Sequence, residues 1–328
     1  IVFNGSPLFT GSAGQGESEI RGWILENDWL EAIIALPDQM FYNTGILTYI
    51  WVLSNRKELK RRNKVQLIDA TSYFQRMRKP LGEKRKEITP ENIYEITKTY
   101  GAFTETQHSK IFDIKDFCYY EITVESPLRL SFQATPEAIE QLQKTKVFIN
   151  LATSKKKTET ARSEQIQKGQ RQQQAILDTL VTLDPARVYL NRDEFTDLLR
   201  EGIKDRGEKI SIAALRKIVA ELGTKNPDAD ICVDAKGKPE PDSDLRDTEQ
   251  IPFHEDVEAY FKREVIPYAP DAWIDHDKTK IGYEIPFTRY FYKHEELGDP
   301  VETLAEIQEL SASIQADIAK LFSEQVRS

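Results

Sequence analysis

Strand-type and helix-type patterning alternate through the first sixty residues, and that alternation restricts the start of the chain to a layered α/β arrangement. Ile1-Val2-Phe3 is an apolar run that breaks at Asn4-Gly5-Ser6-Pro7, and a loop holding Gly11, Gly14 and Gly16 follows. From 17 to 27 the spacing becomes helical, with Ile20, Trp23 and Ile24 on one face. Two further runs, 30–36 and 47–53, are rich in Ile, Val, Tyr and Trp and are separated by a Pro-containing turn. A fourth, shorter run lies at 65–69 and a fifth at 117–124. The chain opens on a strand with no initiator Met. The expectation is therefore the later half of an α/β domain, its earlier half lying outside these residues.

At 328 residues the chain is long enough for more than one domain and for a core that needs no disulfide or metal. Cys118 and Cys232 are its only cysteines and form no CxxC pair, which points to a reducing, cytoplasmic setting without a structural zinc site. No apolar run approaches the roughly 20 residues that span a bilayer, so no membrane partner is expected. A formal net charge of −9 argues against a chain coated with nucleic-acid-binding charge. Basic residues are nonetheless clustered. Arg56, Lys57, Lys60, Arg61, Arg62 and Lys64 precede the 65–69 run, and Arg76, Arg78, Lys79, Lys84, Arg85 and Lys86 follow it. Two readings stay open: solvated loops, or a phosphate-contacting rim that gains affinity by releasing counterions.

Composition shifts divide the chain at about 126 and 225. Region 1–126 carries the strand-type runs, with a Thr89-Pro90-Glu91-Asn92 helix start inside it. Region 127–225 is helical: it opens on Thr135-Pro136-Glu137, and its Gln/Lys/Arg-rich stretch 144–174 reads as an exposed or partly mobile helix with a thin apolar stripe. Region 226–328 begins with an irregular, Asp-rich surface crossing to 250 that lacks calcium-loop spacing, and closes on a long helix, 301–326. In that helix Leu304, Ile307, Ile314, Ile318 and Leu321, with Ser311 in the remaining place, follow a three-four spacing. Such a narrow seam suits packing against one or two partner helices, or an intramolecular bundle.

No GxGxxG, P-loop, HExxH or Gly-x-Ser-x-Gly sequence is present, and the four histidines are scattered, so no catalytic group and no metal site is assigned. The loop around Gly11 to Gly16 reads as a mobile connector. The turn Leu36-Pro37-Asp38-Gln39-Met40-Phe41-Tyr42-Asn43-Thr44-Gly45 is different in kind, because it sets two aromatic side chains between two core strands. They either pack beneath the loop or stand at the sheet edge, where an aromatic ring stacks on a flat ligand.

Asn4-Gly5-Ser6-Pro7-Leu8-Phe9, Glu19-Ile20-Arg21, the 36–46 turn and Ile50-Trp51-Val52-Leu53 resemble, in order and spacing, the post-catalytic half of the modification subunit of type I restriction-modification systems. Leu245-Arg246-Asp247-Thr248-Glu249, Tyr260 to Pro267, Asp271-Ala272-Trp273-Ile274 and Lys280 to Arg289 are similar to that family's C-terminal signature. The resemblance implies a partial Rossmann-like methyltransferase sheet followed by a mainly helical region. It implies an adenine-N6 DNA methyltransferase that uses S-adenosylmethionine, flips its target base, and assembles with a specificity subunit and a restriction subunit. It places Phe41, or Tyr42 if the register differs by one, against the extruded adenine, and the 304–321 seam against a partner's helices. The clustering of basic charge, not the resemblance, makes Arg56, Lys57, Lys60, Arg61 and Arg62 the DNA-contact candidates. The family's Gly-rich donor loop and Asn-Pro-Pro-Phe motif are not found in these 328 residues, so the expectation is a polypeptide that is inactive alone. A non-catalytic helical adaptor of a restriction complex and a part of a single-chain restriction-modification enzyme are the alternatives.

Overall fold

The computed structural model describes residues 1–292 and 300–325; in the last helix the side chains described are those of 303–316 and 318. The protein is mixed α/β and divides into two compact units. One comprises residues 1–10, 20–117 and 284 onward, the other residues 11–19 and 118–283.

The elements up to residue 117 are β1 (Val2–Asn4), α1 (Gly16–Glu26), β2 (Leu30–Ala35), β3 (Thr48–Leu53), β4 (Lys64–Asp69), β5 (Gln75–Leu81), β6 (Lys84–Glu87), α2 (Pro90–Ala102) and β7 (Ser109–Asp113). Five of the strands form one sheet in the order β1-β3-β2-β4-β7. β3 is antiparallel to both β1 and β2, β2 is parallel to β4, and β7 closes the far edge antiparallel to β4. Ile33, Leu67 and Ile68 lie fully buried in its centre, which is why β2 and β4 read as near-continuous apolar runs rather than alternating ones. α2 begins with a reciprocal cap: the Thr89 side chain accepts from the Asn92 N–H, and the Asn92 side chain accepts from the Thr89 N–H. β5 and β6 form a separate two-stranded hairpin.

The second unit holds β8 (Cys118–Glu125), β9 (Leu130–Phe132), α3 (Pro136–Lys144), α4 (Lys146–Leu151), α5 (Glu159–Thr182), α6 (Arg192–Asp205), α7 (Ile212–Leu222), β10 (Gly223–Lys225), β11 (Asp247–Pro252), α8 (Val257–Tyr260) and β12 (Trp273–Tyr283). β8 is the middle strand of an antiparallel sheet, β11-β8-β12, so the 117–124 run pairs with the C-terminal region and not with the first sheet. Helices α3 to α7 enclose a core around Phe132, Leu142, Ile176, Phe195, Leu199 and Ile218. The polar stretch expected to be exposed is broken into three helices, and the later half of α5 is packed: Gly169, Ala175, Ile176, Thr179 and Leu180 are buried. The Gly-rich loop is packed too. Ala13 is buried, and buried Ser18 accepts a 3.0 Å hydrogen bond from the Tyr283 N–H.

At the end of β8, Glu125 is 2% exposed, and its Oε1 accepts from Arg246 Nε and Lys278 Nζ, both at 2.8 Å. Burial alone would raise this carboxyl's pKa; the two cationic donors outweigh it and hold it below the ordinary range. A carboxyl depressed in the folded state stabilises above its unfolded pKa, near ~4.3, and the stabilisation is lost as pH falls through the lower folded value. We expect the difference in melting temperature between the native protein and Glu125→Gln to be largest near neutral pH and to shrink as pH falls below that value. A difference that is flat with pH would show that the three groups are not coupled.

Returning to the first unit, α9 (Phe287–Phe291) sets Phe287 against Tyr49, 5.3 Å between ring centroids, and Tyr290 against Phe112, 4.1 Å. α10 (Pro300–Gln325) closes the described chain.

Candidate nucleic-acid interface

β2 and β4 run parallel and finish side by side, joined by the Ala70 N–H, which donates to the Ala35 carbonyl at 3.0 Å. The carboxyl edge of parallel strands is the usual ligand side of an open α/β sheet. The aromatic turn leaves from that edge. Pro37 ends the strand, Gln39 takes the left-handed conformation at φ 56°, and its N–H donates to the Gly45 carbonyl at 3.2 Å to close the turn. Phe41 and Thr44 are bridged across it. Tyr42 is largely exposed, at 65%, and Phe41 is partly so, at 37%.

The β5–β6 hairpin is fastened to the same turn by main-chain bonds. The Glu83 N–H donates to the Tyr42 carbonyl at 3.0 Å, and the Arg85 and Lys86 N–H groups donate to the Gln39 carbonyl at 3.0 and 3.3 Å. Gly82 is required at the hairpin tip. Its φ is +61°, and a Cβ there would stand 2.5 Å from the Tyr42 carbonyl oxygen. Lys86 pairs with Asp38, and its Nζ lies 4.0 Å from the Phe74 ring centroid. Lys84 Nζ stands 5.4 Å from the Tyr42 ring.

The basic cluster before β4 separates into two kinds of residue. Arg56, Lys60 and Arg62 are exposed, with Lys60 3.3 Å from Glu58. Lys57 is 8% exposed; its ammonium pairs with Asp28 and donates to the Lys64 carbonyl at 2.9 Å. Arg61 is 3% exposed and donates to Gln66 Oε1 at 3.1 Å and to the Tyr100 carbonyl, with Nε 3.2 Å from Glu31. Its guanidinium lies between the Tyr100 and Phe103 rings, 4.4 and 4.3 Å from their centroids. The Tyr100 hydroxyl donates to the same Glu31 carboxylate at 2.8 Å, and burial, then that bond, push its pKa up to about 12. The donors of Lys57 and Arg61 are thus engaged inside the fold. The sequence expectation of DNA contact gives way, for these two, to a structural role.

On α10, Leu304, Ile307, Ile314 and Ile318 are all exposed, as is Leu310 beside them. The side chain of Leu321 and residue 326 lie outside the described residues. Among the described residues no group of three or more His, Cys, Asp or Glu side chains is placed to hold a metal ion, and no helix is long and apolar enough to cross a membrane. The hairpin as a distinct element escaped the sequence reading. Its signal was the Leu81-Gly82-Glu83 tip between two basic runs.

A family model described as N-6 DNA methylase matches residues 1–127. Over that stretch the chain is similar to the N-6 DNA methylases, and the resemblance to type I modification subunits is borne out by its relatives. It is similar to the type I restriction enzyme MjaVIII methylase subunit of Methanocaldococcus jannaschii, 30% identical over 117 residues, which are 35% of this chain and 19% of that protein. It is similar also to the HindI methylase subunit of Haemophilus influenzae, 34% identical over 103 residues, 31% of this chain and 21% of that one. The matched stretches therefore span about a fifth of these relatives. A solved type I restriction-modification methyltransferase subunit from Streptococcus thermophilus aligns with 36% of this chain and 23% of its own at 24% identity, with a TM-score of 0.31.

Proposed function

We propose that the chain is the target-base side of a type I modification subunit, a protein that transfers a methyl group from S-adenosylmethionine to adenine N6 in DNA. In this reading the five-stranded sheet is part of a Rossmann-like methyltransferase sheet. Phe41 stacks on the extruded adenine with Tyr42 beside it, Arg56, Lys60 and Arg62 face the phosphates, and the seam of α10 packs on helices of a specificity subunit within a complex that includes a restriction subunit. The observation that carries the reading is that Phe41 and Tyr42 both reach solvent on a closed turn at the carboxyl edge of β2 and β4. An enzyme that extrudes a base has to replace the stacking the duplex loses, and an exposed ring on a rigid turn does this at low entropic cost.

The methyl donor's loop and the Asn-Pro-Pro-Phe motif are assigned to residues other than these 328. The polypeptide by itself should show no saturable S-adenosylmethionine binding by calorimetry, and measurable binding would overturn that assignment. In the enzyme containing this chain, Phe41→Ala should lower methyl transfer to duplex DNA by roughly 5- to 150-fold, the loss of about 1–3 kcal/mol of stacking. The unfolding midpoint should barely move, because the ring is already partly exposed. Unchanged turnover would remove Phe41 from the site.

A further inference from the structure

We infer that the β5–β6 hairpin is the element of this face that grips the phosphate backbone of DNA, and that it positions the strand for the aromatic turn to which it is bonded. The inference rests on the DNA reading above and says which residues do the holding. Residues 75–87 carry six basic and two acidic side chains in a chain whose net charge is −9. Folding accounts for only two of the six, Lys86 through Asp38 and Lys84 over Tyr42. Arg76, Arg78, Lys79 and Arg85 are exposed, and none of them forms an ion pair among the described residues.

The hairpin has no hydrophobic reason to exist. Apart from half-buried Met77 its first strand is exposed throughout, and two-stranded hairpins are marginal in water without such support. Arg76 also stands directly opposite Lys86 in the register, a like-charge pairing that costs stability unless counter-charge is brought to it. The sheet tolerates the element because the turn holds it: the Gln39 and Tyr42 carbonyls accept three of its N–H groups. A backbone gripped by Arg76, Arg78, Lys79 and Arg85 is thereby registered against Phe41 and Tyr42. By contrast, the cluster before β4 has lost Lys57 and Arg61 to the interior.

The test measures the 328-residue chain binding a fluorescently labelled 20-base-pair duplex by anisotropy, over ~50–200 mM KCl. Two variants are compared with it: Arg76→Ala/Arg78→Ala/Lys79→Ala/Arg85→Ala, and a charge control, Lys155→Ala/Lys156→Ala/Lys157→Ala, in exposed positions before α5. Each neutralised phosphate contributes about 0.9 to the slope of log affinity against log salt. The hairpin variant should therefore lose up to about 3.6 from that slope and at least tenfold in affinity at the lowest salt, with an unchanged circular dichroism spectrum; the control should change little. If the native chain binds and the hairpin variant keeps its slope within one, or if the control loses as much, the hairpin assignment fails while DNA binding stands. If the native chain shows no binding at the lowest salt, the DNA reading fails with it. Equal displacement by an acidic polypeptide would overturn nucleic acid as the ligand of this face.

Discussion

Arg61→Ala should destabilise the first unit by about 3–5 kcal/mol, the range for removing one partner of a buried ion pair. The guanidinium joins three things that are distant in sequence: Glu31 on β2, Gln66 on β4 and the Tyr100 carbonyl near the end of α2. Removing it leaves the Glu31 carboxylate, among the described residues, with the Tyr100 hydroxyl as its remaining side-chain partner and strands a cavity between two rings. Gln66 is fully buried and holds α2 and β7 as well, through the Thr99 carbonyl at 3.1 Å and Ser109 Oγ at 2.9 Å, so the loss reaches beyond one pair. Phe103, at φ 49°, holds a left-handed backbone that few non-glycine residues adopt, and its contact with Arg61 is part of what offsets that cost. Arg62, the next residue, is exposed and should cost no more than about 0.5 kcal/mol when changed to Ala. Urea unfolding of both variants checks the contrast. If Arg61→Ala kept its stability within 1 kcal/mol and lost DNA affinity instead, the residue would return to the interface.

That contrast also shows what kind of information the sequence held. The apolar runs at 30–36, 47–53 and 65–69 became β2, β3 and β4 because strands buried on both faces leave little choice of side chain. The Thr89 and Thr135 helix starts were equally legible, since a cap is a local bond between neighbours. The basic cluster was not. Whether Arg61 or Arg62 turns inward depends on Glu31 and Tyr100, tens of residues away, and no local pattern encodes that meeting. Strand β11 escaped for a related reason: Asp247-Thr248-Glu249-Gln250 is polar, and it is a strand because β8 offers it an edge. The aromatic turn was legible as a candidate, whereas the exposure that makes it usable came only from the fold. In α5 the polar composition suggested exposure, yet small residues serve here as contact points. A Cβ on Gly169 would lie 2.0 Å from the Leu151 carbonyl oxygen, so the glycine is what lets α5 approach the end of α4.

The helical core of the second unit should respond as sharply as the Arg61 network, through packing rather than charge. Phe195 on α6 is fully buried, stacked on Phe132 of β9 with centroids 5.0 Å apart and planes 13° apart, and tilted against Tyr189 at 5.2 Å. Phe132 and Tyr189 exchange two 2.8 Å main-chain bonds, which fix both rings to one strip of backbone and leave them little freedom to close a hole. Phe195→Ala removes the shared surface and leaves a cavity that this clamped pair cannot fill, so the expected loss is about 3–5 kcal/mol. In a unit of this size that lowers the thermal midpoint by on the order of 10 °C. Phe195→Leu keeps most of the volume but not the stacking, and should lose less than half as much. The two variants are compared by thermal unfolding followed at 222 nm. A loss below 1.5 kcal/mol for the alanine variant would mean that α5 and α7 collapse onto the gap, and that the Phe132–Tyr189 strip is not the rigid wall its hydrogen bonds make it.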